Sequence, residues 1–249
     1  MTFTKSEPTR RAADWEAAGL DWLRVPGGAA VVRVLGRDER TLHLAPLTSV
    51  APTPAAADDF GRRLATTHAA GASAFGVGPE GWVGEGLQGP VDDLLPLPLA
   101  PFDTWGDMYA TLRVEPLVER AGRRFAPDQR ADVARLCERL RGGDFDTGER
   151  PARLHGDLWS GNLLWTPDGC VLIDPMAHAG HRESDLAALA LFGCPHLPRI
   201  LAAYDDASPL AGGWRERVPL MHLHLVLLHV VLFGGGYSAQ AASIARRYR

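Results

Sequence analysis

LHGDLWSGNLLW (residues 154–165) sets three reactive side chains, His155, Asp157 and Asn162, where a glycine-containing polar stretch runs into an apolar one. A second apolar run, VLIDP (171–175), ends on Asp174. Pro167-Asp168-Gly169 lies between the two runs and is a turn signature, so NLLWT and CVLIDP read as a β-hairpin. Four residues separate Asp157 from Asn162, and Asp174 follows Asp157 by seventeen positions. That spacing matches a phosphoryl-transfer loop: a base aspartate, a metal-binding asparagine, then a metal-binding aspartate after a strand.

The chemistry explains the residue types. The phosphates of ATP carry Mg²⁺, a hard cation that takes a few carboxylate and carbonyl oxygens and keeps part of its water. Asn162 and Asp174 suit that metal, and the hairpin between them fixes their separation. Asp157 is then left to orient a substrate hydroxyl and accept its proton, with His155 and the Gly156 backbone bracing the loop. Phosphoryl transfer also needs an ammonium on the α- and β-phosphates, held by a carboxylate on a neighbouring helix. Among 26 basic residues the single lysine is Lys5, at the end of a short strand, and Glu16 lies midway along the helix that follows. A rival reading groups His155, Asp157, His178 and His181 as a hydrolytic metal site. It leaves Asn162 and Lys5 without a role.

Composition narrows the class. With 249 residues, 46% apolar and 22% charged, the chain is that of a globular protein with a substantial core. A net charge of −4 supplies no basic field for nucleic acid or anionic lipid. Cys137, Cys170 and Cys194 are too scattered for a disulfide ladder and point to a reduced, cytoplasmic setting. MTFTKSEPTRR lacks the apolar core of a signal peptide. Val218–Phe233 carries His222, His224 and His229 and reads as a buried core helix, too short and polar to span a bilayer. Those histidines, and His68, read as core residues with satisfied polar atoms.

Along the chain, the first fifty residues read strand (TFTK), helix (about Thr9–Leu23), strand (AVVRVLG) and hairpin partner (TLHLAPL). Thr48–Pro54 has linker composition. The rest is mainly helical, with a Gly/Pro-rich loop over 71–101 and Pro116 kinking or ending a helix. The division is a small β-containing N-terminal lobe (1–47) and a helical C-terminal lobe (48–249) that carries the hairpin.

LHGDLWSGN, VLIDP and GHRESDLAALALFG (180–193) together resemble the fructosamine kinase (ketosamine 3-kinase) family. The H-G-D-x4-N core alone is shared across the aminoglycoside phosphotransferase group, whereas DLWSGN with DPxxxxGHRExDLA is narrower. Weaker similarity runs through FTK, DWEAAGLDWL, LATTHAAGASAFG and TWGDMYATLR. The resemblance implies an α+β, protein-kinase-like two-lobe fold and ATP- and Mg²⁺-dependent phosphorylation of a sugar hydroxyl on a ketoamine, a glycated amine. It implies Asp157 as base, Asn162 and Asp174 as metal ligands, and Lys5 with Glu16 as the phosphate-binding pair. Leu44, Ala45, Pro46 and Leu47 fall at the hinge that meets adenine, and Asp185 at a buried brace of the catalytic loop. His181, Arg182 and Glu183 match positions near the substrate. Trp159 and Trp105 are candidate walls for the sugar or its aglycone, or else core tryptophans.

The sequence has two departures from the family. Two strands and a glycine-containing loop are expected ahead of the lysine strand, so the resemblance implies an incomplete N-terminal lobe. AHAG (177–180) lacks an aromatic before its glycine, which implies an altered substrate wall. Alternatives within the fold are an aminoglycoside- or choline-type acceptor; outside catalysis, a nucleotide-binding pseudokinase.

Overall fold

In the computed structural model, which describes residues 2–249, the chain opens with β1 (Phe3–Ser6) and helix α1 (Arg10–Trp22). Thr9 caps α1, its hydroxyl accepting the Ala12 N–H at 3.1 Å. Ala12, Trp15, Glu16, Gly19 and Leu20 share the buried side of the helix, so one amphipathic period that buries apolar residues also draws Glu16 inward. Then come β2 (Ala30–Val31), β3 (Val34–Asp38) and β4 (Thr41–Leu44), the last two joined by a turn in which Glu39 takes a left-handed φ of 39°. Strand order in this antiparallel sheet is β1–β4–β3, and Lys5 stands opposite Leu42. The structure splits the expected single strand AVVRVLG in two, with a register shift between Val34 and Gly36.

Helix α2 (Pro54–Ala69) has its proline in the first turn, where the missing N–H costs nothing, and Thr53 as its cap. The Gly/Pro-rich stretch that follows is more ordered than its composition suggests, because it contains the hairpin β5 (Gly86–Gln88) and β6 (Leu95–Leu97). Helix α3 (Trp105–Met108) passes through a π-helical turn (Tyr109–Val114) into α4 (Glu115–Ala121). Pro116 therefore falls in the first turn of α4 and changes the helix type without ending the helix. Helix α5 (Pro127–Arg141) completes this group.

Four short strands then frame the centre: β7 (Ala152–Leu154), β8 (Leu163–Thr166), β9 (Gly169–Leu172) and β10 (His178–Gly180). β8 and β9 form the hairpin expected from NLLWT and CVLIDP, in register from Leu163–Leu172 to Thr166–Gly169. β10 was not expected. It pairs antiparallel with β7, while β2 adds in parallel to β9. The split in AVVRVLG follows from this, since residues 30–31 join the central hairpin and residues 34–38 the N-terminal sheet.

Helices α6 (Glu183–Leu191), α7 (Leu197–Ala207), α8 (Trp214–Phe233) and α9 (Tyr237–Tyr248) close the chain. The main core joins α2, the α3–α5 group and α6–α9 to the inner face of the hairpin. α8 starts four residues before Val218 and reaches 20 residues with a mean hydropathy of 1.4, long and apolar enough to cross a membrane by length and composition. Leu220, Leu223, Val226, Leu227 and Val230 are buried in the fold. His224 bonds Gln88 at 2.9 Å, and His222 and His229 bond the carbonyls of Ala187 and Leu225 at 2.7 Å each. The three cysteines are free.

Close helix contact at α2 depends on Gly61, where a Cβ would lie 2.3 Å from the Ile200 carbonyl oxygen on α7. Backbone cannot yield as a side-chain tip can. Gly61→Ala is expected to destabilise the fold by about 1–3 kcal/mol in urea unfolding, despite the better helix propensity of alanine.

Candidate active site

Two loops make the centre. Residues 155–162 connect β7 to β8, and residues 173–177 connect β9 to β10, so the two paired ladders fix both ends of both loops. Cross-bonds lock them together. The Met176 N–H donates to the His155 carbonyl at 2.9 Å, the Ile173 N–H to the Asn162 carbonyl at 3.2 Å, and His155 Nε2–H to the Ile173 carbonyl at 2.8 Å. With Nε2 donating, His155 Nδ1 is free to accept the Asp157 N–H at 3.3 Å. Gly156 is required twice over, having φ of 83° and space for a Cβ only 2.2 Å from the Met176 carbonyl oxygen.

Behind the loop sits Asp185, buried at the start of α6. Its carboxylate accepts the N–H groups of His155 (2.7 Å) and Gly156 (3.0 Å) and the Nε2–H of His68 (3.2 Å). His68 Nδ1 in turn accepts from the Tyr204 hydroxyl at 2.8 Å. Burial opposes the Asp185 charge, but the His68 contact and the backbone bonds outweigh it and hold the carboxyl below its ordinary range.

On the cleft side, the Asn162 carboxamide donates to Asp157 Oδ2 at 3.0 Å and to the Asp157 carbonyl at 2.8 Å. That leaves the Asn162 amide oxygen for another partner. Burial raises the Asp157 carboxyl above its usual value, with His155 and the Asn162 bond drawing it partly back. Asp174 sits in the left-handed region at φ 54°, a conformation aspartate tolerates and most side chains do not. Its carboxylate is half exposed and meets Lys5 Nζ at 2.9 Å.

Lys5 is held from three sides, by Glu16 (2.6 Å), Asp174 (2.9 Å) and Glu7 (3.2 Å). Burial opposes its charge, but Glu16 and Asp174 overcome that and hold the ammonium more firmly protonated than usual. Gly19 allows the approach, since a Cβ there would touch Ala177 Cβ at 3.1 Å and Pro175 Cγ at 3.2 Å, against the segment that carries Asp174. Lys5, Glu16, Asp157, Trp159, Asn162 and Asp174 all line one cleft of about 570 Å³, a size ordinary for a small-molecule site.

Other expected site residues lie elsewhere. Leu44 and Leu47, at the end of β4 and beyond, pack with Val171 and Ile173, the residue before Asp174, while the Ala45 N–H donates to the Arg33 carbonyl at 2.8 Å. Leu44, Ala45, Pro46 and Leu47 do not line the cleft. Trp105 is 2% exposed and stacks on Tyr109 with ring centroids 4.8 Å apart, so it is a core tryptophan and not a substrate wall. Likewise His181, Arg182 and Glu183 do not line the cleft. Arg182 grips Glu149 through Nε (2.6 Å) and Nη2 (2.8 Å), and Arg217 grips Glu183 in the same way (2.9 and 2.5 Å). His181 uses both ring nitrogens, on Thr147 (2.9 Å) and the Glu183 N–H (3.2 Å). Glu149, His181 and Glu183 are close enough together for a cation, with ligand atoms within 4.8 Å of one another, but two guanidinium groups already neutralise the carboxylates. AHAG is buried as well and does not line the cleft. His178 turns Nδ1 to the Met176 carbonyl at 2.8 Å. The four-residue hydrolytic cluster does not form.

The structure also adds residues. Glu7, expected only in a turn, is buried beside Lys5, and Phe192, His229 and Phe233 line the cleft with Trp159. The available signal was the α8 spacing Leu225, Leu228, His229, Leu232, Phe233, a second helical stripe on an otherwise buried helix.

A lysine–glutamate pair, an Asp–Asn loop and a second aspartate beyond a hairpin thus meet in one cleft, and the fold around them is protein-kinase-like. An aminoglycoside phosphotransferase structure in its apo form superposes with a TM-score of 0.61 at 16% identity, over 98% of this chain and 85% of that one. More narrowly, the fructosamine kinase family matches residues 19–248, and the chain belongs to that family. A Thermobifida fusca structure provisionally named a fructosamine-3-kinase gives a TM-score of 0.88 at 44% identity, covering 98% of this chain and 84% of that one. A probable ketoamine kinase of Synechocystis is 35% identical over 192 residues, 76% of this chain. That alignment spans 60% of the Synechocystis protein.

Burial drives His178 down to about 3 and His181 to about 4. Both histidines take protons in the unfolded chain near pH 6.5 but not in the native state until far lower pH. The unfolded state therefore binds more protons between about pH 6.5 and 4, and stability falls as the pH is lowered through that window. Urea unfolding is expected to lose about 1.4 kcal/mol per pH unit for each histidine there. His181→Asn should flatten the slope.

Proposed function

We propose that this chain is a Mg²⁺- and ATP-dependent kinase that phosphorylates a sugar hydroxyl of a ketoamine of the fructosamine or ribulosamine type, the chemistry of deglycation. The observation that carries the reading is the convergence of Lys5–Glu16, Asp157–Asn162 and Asp174 on one cleft from three separate parts of the chain. Family membership and the names borne by relatives support it.

In this reading a small lobe (1–47) and a helical lobe (48–249) meet at the cleft. Lys5, fixed by Glu16, leaves Asp174 for the α- and β-phosphates when nucleotide enters. The donor set suits Mg²⁺: a half-exposed carboxylate on Asp174 and the amide oxygen of Asn162, whose nitrogen is already committed to Asp157. When bound there, the metal supplies charge neutralisation at the transferring phosphate. Asp157 orients the acceptor hydroxyl and takes its proton as that oxygen attacks the γ-phosphorus. The bond from the γ-phosphorus to the β-bridging oxygen breaks, ADP departs, and Asp157 returns the proton to solvent. Its raised carboxyl matches a base that must hold and release a proton. Asp185 and His155 position the loop without touching substrate. ATP use and three free thiols suit the cytoplasm.

Asp157→Asn is expected to lower kcat by about 10²–10⁴-fold in a coupled ADP assay with fructosamine and ribulosamine acceptors. Nucleotide affinity should stay within about twofold, because the residue acts on the hydroxyl. Full turnover by the variant would remove Asp157 as base. Activity on an aminoglycoside or choline but on no ketoamine would reassign the acceptor, and nucleotide binding without turnover of any acceptor would make the chain a pseudokinase.

A further inference from the structure

Away from the phosphate end, the cleft changes character. Leu225, Leu228 and Leu232 of α8 form one wall, and Val91 and Leu94, from the turn and first residues around β6, face the same space. An aromatic chain runs along the rim: Trp159 to Phe192 with ring centroids 6.3 Å apart, Phe192 to His229 at 5.4 Å, and His229 to Phe233 at 5.4 Å. Phe233 is 62% exposed, Phe192 50% and Trp159 39%. Large aromatics gathered at the mouth of a cleft and left in water mark a surface that a ligand covers.

The charge lining the cleft is one-sided. Glu7, Glu16, Asp157 and Asp174 contribute four carboxyl groups, and Lys5 is the one lysine or arginine among the lining residues, a formal 1 − 4 = −3 with histidine neutral; burial pushes Glu16 up to about 8, which leaves the balance smaller but still negative at neutral pH. Lys5 is already committed to three of those carboxylates. An acceptor amine is attracted, by the carboxylates and by the aromatic faces. A carboxylate or phosphate on the acceptor meets like charge with no arginine or free lysine to receive it.

We propose that the Trp159–Phe192–His229–Phe233 rim is an aglycone subsite, and that it selects ketoamines whose amine substituent is apolar and bears no anionic group. This rests on the ketoamine kinase reading and specifies its substrate class. The sugar carbons lie toward Asp157, the secondary ammonium crosses the acidic zone, and the substituent covers the rim. Glycated simple amines qualify, whereas glycated α-amino acids, with a carboxylate next to the nitrogen, do not.

Three acceptors separate the terms: the fructose ketoamines of methylamine, of benzylamine and of phenylalanine. The benzylamine adduct is expected to exceed the methylamine adduct in kcat/KM by at least about tenfold, mainly through KM, because the ring covers the rim. It should exceed the phenylalanine adduct by at least about tenfold, a difference due mostly to the carboxylate. Phe233→Ala should reduce the benzylamine-to-methylamine ratio about fivefold or more. Phe233→Arg should raise the relative kcat/KM of the phenylalanine adduct by supplying the missing cation. Phe233 is mostly in water, so both variants should keep the wild-type unfolding midpoint, which is measured alongside. The subsite is overturned if the phenylalanine adduct matches the benzylamine adduct, or if neither substitution moves either ratio. Turnover of no ketoamine at all would overturn the kinase reading and this inference with it.

Discussion

A carboxylate sealed from water, that of Asp185, fastens the 155–162 loop to the helical core. It accepts two backbone N–H groups from residues 155 and 156 and a third bond from His68 on α2. A buried charge is tolerated only when hydrogen-bonded this fully, and losing one partner of such a set typically costs several kcal/mol. The consequence is positional. With His155 and Gly156 fixed, the His155 ring holds the Asp157 N–H on one side and the carbonyl of Ile173, the residue before Asp174, on the other. The ladders β7–β10 and β8–β9 close the remaining freedom at the loop ends.

Lys5 is the second organiser. It bridges β1, α1 and the segment after β9, and so ties the N-terminal elements to the central hairpin through charge. Three carboxylates around one ammonium leave an acidic pocket that a metal–nucleotide complex would relieve. In the proposed kinase that excess charge, extended by Asp157, would also favour a cationic acceptor, so that phosphate handling and acceptor choice would share one electrostatic origin.

The sequence made the chemistry legible and the surroundings less so. Asp157, Asn162 and Asp174 were readable because a hairpin converts sequence spacing into distance, and Lys5 because it has no other lysine to be confused with. β10 was not, and β2 was read only as the start of the longer strand AVVRVLG, since two- and three-residue strands owe their existence to a partner across the fold and leave no periodic pattern of their own. Pro116 was legible as a disturbance, but its accommodation by a π-turn depends on tertiary packing. His181, Arg182 and Glu183 adjoin a motif that signals catalysis, yet their partners Thr147, Glu149 and Arg217 come from distant segments and turn them into a structural ion-pair network. Trp105 could equally have been wall or core until its stacking on Tyr109 was known. His229 and Phe233 read as core residues because α8 is apolar all round, and only the fold decides which of its faces meets open space.

The central claim is that Asp174 and Asn162 form the metal end of a nucleotide site that Lys5 shares. Calorimetric titration of a non-hydrolysable ATP analogue, with and without Mg²⁺, tests this in the wild type and in Asp174→Asn without any assumption about the acceptor. The account predicts that Mg²⁺ tightens the wild-type Kd by at least about tenfold, about 1.4 kcal/mol, and that Asp174→Asn abolishes most of that gain. A wild-type affinity indifferent to Mg²⁺, or an undiminished Mg²⁺ effect in Asp174→Asn, would contradict it.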